Sequence, residues 1–223
     1  MEVTQFIQDD IKRASHRSPW LRVLLGAGVF LLPVTLGILL RDRIEGVFDP
    51  HTFVPNTLAI LALVFSASFL VRKANPKSDF KWGMLGLLMA LYFATDRIYS
   101  AEIRTEYASS ESFWHESFLC FTKGGLTTLV MGLWLAVFAF TISAWPPRRW
   151  RGFLSVAAGV AGAIMLGFHC DSSSVAHVLV AHVGQGIIFG AVLFLAQEAY
   201  FYWGLKRAIP ELAGRIKKFH RLG

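Results

Sequence analysis

Two cysteines, Cys120 and Cys170, and four histidines, His115, His169, His177 and His182, are the residues of this 223-residue chain best suited to chemistry. A thiolate is a nucleophile, a redox centre and a ligand for soft metals, and imidazole is a ligand and a proton carrier. His169 and Cys170 are adjacent and His177 follows closely, a cluster that suits a soft metal ion at the outer rim, although no standard zinc spacing appears and no cofactor is fixed by it. His177 and His182 are five apart, about 140° around an α-helix, which argues against their chelating one ion together. His182 reads more readily as a packed, hydrogen-bonded histidine than as a ligand. Lys123 follows Cys120 by three residues, on the same helix face, where an ammonium favours the thiolate; the competing reading is a lysine reaching for the membrane interface. There is no C-x-x-C pair and no nucleophile–base constellation, so an enzyme is not expected.

The elements that must hold these residues are set by composition. Apolar residues make up 54% of the chain and charged residues 17%, with a mean hydropathy of +0.49, whereas a soluble domain carries about 25% charge. That excludes a soluble globular enzyme and a disordered chain, and two cysteines cannot make a disulfide framework. The net charge of +7 invites a nucleic-acid partner, but the basic residues sit in short clusters between apolar runs, so no direct nucleic-acid contact is expected. The apolar runs predict an all-α integral membrane protein of six transmembrane helices, near 23–40, 53–71, 82–99, 120–145, 152–170 and 175–203, each close to the ~20 residues that cross a bilayer. Residues 1–22 form a short amphipathic tail, 23–205 the transmembrane domain and 206–223 a basic tail.

Lys and Arg fix the orientation. Seventeen of the 22 lie in the N-terminal tail, the second-to-third connection, the fourth-to-fifth hairpin and the C-terminal tail. The positive-inside rule therefore puts both termini in the cytoplasm. Cys120 and Cys170 then lie at the outer ends of spans four and five, in an oxidising compartment where thiols form disulfides or bind soft metals. Measured along straight helices from Trp145 and Gly152, their heights differ by ~10 Å, more than the ~7 Å between Cα atoms that a disulfide tolerates, unless tilt or a break at Gly124–Gly125 closes the gap.

Ser155, Gly159, Ala163 and Gly167 recur at four-residue spacing in span five, and Gly186 and Gly190 repeat the pattern in span six. Small residues on one ridge let helix backbones approach in lipid. Leu at Gly159 or Ala163 should overpack that contact, while Phe153→Leu should matter little. In the N-terminal tail Phe6, Ile7 and Ile11 fall at helical spacing, an apolar stripe suited to a partner groove. The basic C-terminal helix reads as interfacial, lying on the lipid bilayer.

The stretch CFTKGGLTTLVMGLWLAVFAF followed by PPRRWRGFLSVAAGVAGAIMLGFHCDSSSVAHVLVAHVGQG resembles the NrsF-like family of six-span bacterial inner-membrane anti-sigma factors. Cys120 opening span four, the basic hairpin, the small-residue fifth span ending in His169-Cys170 and the histidine-bearing start of span six carry the likeness. This chain has Ala181-His182 where the family often has Trp-His. The resemblance implies a regulator that sequesters an extracytoplasmic-function sigma factor on the cytoplasmic side, with Cys120 and Cys170 responding to oxidants or heavy metals. A metal- or haem-binding membrane protein and a thiol–disulfide relay are the rival readings. The sequence sets no oligomeric state.

Overall fold

The computed structural model describes residues 19–39, 50–69, 76–94, 111–142, 148–170 and 175–219. Among these residues all regular structure is helical, with one helix on each apolar run. The helices are α1 (Pro19–Leu39), α2 (Pro50–Ser68), α3 (Pro76–Ala94), α4 (Glu111–Ile142), α5 (Arg148–His169) and α6 (residues 175–219). The first three open on proline, whose fixed φ suits the first helical position and whose missing N–H would have no partner there. The sixth begins as Val175–His177, passes through a π-helical segment, Val178–Gly184, and continues as Gln185–Phe219.

Helix α5 is the axis of the bundle. From Phe153 to Phe168 every one of its residues except Val156 is buried. Five helices pack on it, and their mutual contacts run α3 to α2, α2 to α1, α1 to α4 and α4 to α6. They make an open ring that parts between α6 and α3. Small residues explain the central position, because a helix with neighbours on nearly every side needs backbones that can be approached. A Cβ on Gly159 would lie 2.7 Å from the Gly186 carbonyl oxygen, and one on Gly190 would lie 3.2 Å from that of Ser155. Gly167, four residues beyond Ala163, instead meets Asn56 of α2. Four residues turn an α-helix by slightly more than a full circle, about 40° of drift per step, so the small ridge serves α6 at one end and α2 at the other.

Phe153 is not the indifferent position its sequence context implies. It is buried against Phe80 and Trp150, with ring centroids 6.4 and 5.3 Å away, and its ring edge meets Gly83 of α3. The aromatic cluster fastens α3 to the start of α5. At the same end Glu198 of α6 accepts from Arg151 Nε at 2.8 Å and Nη2 at 2.7 Å, and Gln197 donates to Ser155 Oγ at 3.1 Å. The outside of the bundle is apolar: Leu133, Ile187, Leu195 and many other large hydrophobic side chains are more than half exposed. A monomer in water rarely shows such a surface. Phe113–Val137, Arg148–His169 and Val175–Gly204 are long and apolar enough to cross a membrane, and Val23–Leu39 and Phe53–Ser68 are shorter apolar helices.

Candidate thiol–imidazole site

The two cysteines meet at the end of the bundle opposite Arg151. Ser117, Cys120 and Lys123 follow one another at three-residue spacing on α4, so neighbours in this series share a face. Cys170 comes immediately after α5, its N–H donating to the Leu166 carbonyl at 2.8 Å and closing the last turn. The opening turn of α6 supplies His177. One ligand atom from each of Cys120, Cys170 and His177 lies within 4.8 Å of the others, and all three residues are buried.

The ~10 Å height difference expected for the cysteines is absent, and the helix ends explain why. Cys120 lies 22 residues before Ile142, where α4 ends, and Cys170 lies 22 residues after Arg148, where α5 begins. Counting from Trp145 and Gly152 lengthened one helix and shortened the other.

His177 is held at both ring nitrogens. Its Nδ1 is 3.0 Å from Ser117 Oγ and its Nε2 is 3.1 Å from Cys170 Sγ. Two proton arrangements satisfy these contacts. In one, Nδ1–H donates to Ser117 and Nε2 accepts from the Cys170 thiol. In the other, the Ser117 hydroxyl donates to Nδ1 and Nε2–H donates to a Cys170 thiolate. The first leaves Nε2 as the ligand nitrogen once the thiol proton departs, with Ser117 fixing the ring as outer partners of metal-bound histidines do. The edge of Phe113 also meets the ring, at a centroid distance of 6.4 Å.

His182 stands against the same cluster. Its ring centroid is 5.7 Å from that of His177, and it also contacts Cys170. The reason is the π-helical segment between them: an i→i+5 repeat puts residues five apart on one face, where α-helical geometry would separate them. The expectation that these two histidines point apart is thereby corrected. Gln185, which ends the segment, is fully buried; its side chain accepts from Thr128 at 2.8 Å and donates to the His182 carbonyl at 3.0 Å. It thus ties α4 to the irregular turn of α6.

The other sequence candidates lie elsewhere. Lys123 donates to His169 Nε2 at 3.1 Å, which places this pair beside the cluster and leaves His169 with a partner of its own. His115 is exposed. Phe6, Ile7 and Ile11 lie outside the described residues. Sequence reasoning missed Ser117 and Gln185. Three-residue spacing from Cys120 was a signal for the first, and an amide within an apolar run was one for the second.

Two thiols and an imidazole form a soft donor set. Ligands of a tetrahedral ion at about 2.0–2.3 Å stand roughly 3.5 Å apart, so small side-chain shifts from the observed spacing would admit one ion. Met165, Leu166 and Ala181, with Leu36 at the edge, make an apolar shell around the two cysteines.

Among the described residues, an all-helical bundle with an apolar exterior and a buried thiol–imidazole cluster at one end is a membrane-type architecture. The chain matches the NrsF family, negative regulator of sigma F, over residues 9–203. It belongs to that family. No curated protein and no solved structure matches it.

Proposed function

We propose that this chain is a multi-pass anti-sigma factor of the bacterial inner membrane, with six spans and both termini cytoplasmic. It holds an extracytoplasmic-function sigma factor on the cytoplasmic side and releases it when Cys120 and Cys170 meet an oxidant or a soft metal. Family membership supports the regulatory role, and the charge bias of the connections supports the orientation. The observation that carries the sensing role is the convergence of Cys120, Cys170 and His177 from α4, the end of α5 and the start of α6. A ligand shared by three helices favours whichever arrangement of them completes its coordination, and it can shift an equilibrium only by that difference in affinity. Oxidation would act on the same pair: the two sulfurs join, and two electrons and two protons pass to the oxidant. The docking surface for the sigma factor is the tail stripe of Phe6, Ile7 and Ile11.

The test is a reporter fused to the controlled promoter, with sigma-factor recovery on the tagged full-length protein read in parallel. Cadmium or hypochlorite should induce the wild type and release the sigma factor. Cys120→Ser and Cys170→Ser should hold it throughout, and His177→Ala should hold it against cadmium. Induction unchanged in all three variants would refute the sensing role, and failure to recover any sigma factor would refute the regulatory one.

A further inference from the structure

Between α6 and α3 the ring around α5 is open. A cylinder packed among cylinders of its own size has room for six neighbours, and among the described residues α5 has five. The sixth position is a groove of about 470 Å³, floored by Val156, Val160 and Ala163 of α5 and walled by Leu91 of α3 and by Ile187 and Ala191 of α6. Such a volume suits a hydrocarbon chain rather than a helix about 10 Å across. It follows α5 from Gly152 to Ala163, roughly 17 Å at 1.5 Å per residue, or about one leaflet of a hydrocarbon layer ~30 Å thick.

The charges at one end identify the occupant. The Arg148 guanidinium lies over the ring of Phe194, which lines the groove on the α6 side, at 5.9 Å. That of Arg149 lies over Phe80 of α3 at 5.8 Å. Two exposed cations therefore stand at this end of α5, one against α6 and one against α3. Arg148 approaches Glu198 at 3.6 Å, but its side chain remains 76% exposed. Arg151, by contrast, is engaged with Glu198 and Phe201.

We propose that the groove is a binding site for one anionic phospholipid of the leaflet on which Arg148 and Arg149 lie. One acyl chain takes the vacant sixth position along α5, and the phosphate sits between the two guanidiniums. Arginine forks match phosphate oxygens, and basic pockets between membrane helices bind anionic head groups in this way. The other end of the groove reaches His182, so the bound chain would line the same π-helical segment that borders the thiol–imidazole cluster.

Full-length protein reconstituted with equal phosphatidylglycerol and phosphatidylcholine, then released into mild detergent for native mass spectrometry, tests this. The wild type should retain one phosphatidylglycerol per chain. Arg148→Gln with Arg149→Gln should lower the preference for phosphatidylglycerol by roughly tenfold. Val156→Trp, and separately Ala191→Leu from the other wall, should expel the lipid whatever its head group. Leu133→Trp, on the exposed face of α4, should retain it as the wild type does. Circular dichroism on each variant shows that the bundle is intact. Equal retention in folded Val156→Trp and wild type would overturn the proposal. So would equal retention of the two lipids by the wild type, or a wild-type dimer that the groove variants dissociate.

Discussion

Gly159 and Gly186 place the backbones of α5 and α6 in direct contact, with each carbonyl facing the space where the other residue's Cβ would be. Any side chain at Gly159 must push the backbone of α6 away, since the obstruction is a carbonyl and not the tip of a flexible side chain. Gly159→Leu should therefore destabilise the bundle by about 1–3 kcal/mol or more. Ile187→Leu, one residue from the contact but 67% exposed, should stay near wild type. Thermal unfolding in detergent distinguishes them, and equal midpoints would mean that the contact contributes nothing.

Cys120, Cys170 and His177 should behave as one unit. Three donors that share an ion are non-additive: once one is lost, removing a second changes little more. Cadmium affinity, followed by thiolate-to-metal absorbance on the purified protein, should fall by a similar large factor in Cys120→Ser, Cys170→Ser, His177→Ala and the double cysteine variant. Independent, additive losses would show separate sites.

Ser117 should matter without being a ligand. Its hydroxyl fixes the ring of His177 from the far nitrogen, and losing such an outer partner typically costs about 10–100-fold in metal affinity. Ser117→Ala should show that loss while both thiols keep their reactivity toward a maleimide. Ser117→Thr, which restores the hydroxyl, should recover most of the affinity. An unchanged affinity in Ser117→Ala would remove the serine from the site.

The helices and the small-residue contact were legible because periodicity and residue size act locally. Cys120 and Cys170 were legible as a pair through topology, yet their meeting was obscured by a few residues of error at each helix end, and at 1.5 Å per residue such errors accumulate. The closeness of His182 to His177 was hidden for a different reason. Residues 178–184 carry no composition that marks a π-helical repeat, and the five-residue spacing of His177 and His182 becomes a shared face only once that repeat exists. Phe153 lies off the small-residue ridge, so Phe153→Leu was expected to matter little; its contacts with Phe80 and Gly83 of α3 are distant in sequence.

Glu198 clamps the opposite end of the α5–α6 pair. It receives two hydrogen bonds from Arg151, whose side chain is mostly buried and whose guanidinium also lies 4.2 Å from the Phe201 ring centroid. Glu198→Ala leaves that cation without its counter-ion and should lower stability by on the order of 1–3 kcal/mol, as for hydrogen bonds to charged groups. Glu198→Gln, which keeps an acceptor, should lose less. The order of the thermal midpoints is the check, and values in both variants identical to the wild type would show that charge and hydrogen bonding both count for nothing here.

The π-helical segment allows a sharper test of how the rim is built. A π-helical turn is in effect an α-helix with one residue added, so deleting one residue from Val178–Gly184 should return α6 to α-helical register. Leu179 is the residue to delete, because it is half-exposed and outside the cluster. Everything from Gln185 onward stays anchored by Thr128, by the Gly159–Gly186 contact and by Glu198, so the change must be taken up at the start of the helix. There His177 would turn by about 100° and draw in by 1.5 Å, leaving both Ser117 and Cys170. Deletion of Leu179 should thus reduce cadmium affinity as far as His177→Ala does, while helical content and the Cys120 and Cys170 thiol count remain those of the wild type. Leu179→Ala, which keeps the chain length, should bind cadmium normally. If the deletion variant bound cadmium like the wild type, the irregular turn would not be what brings His177 to the cysteines.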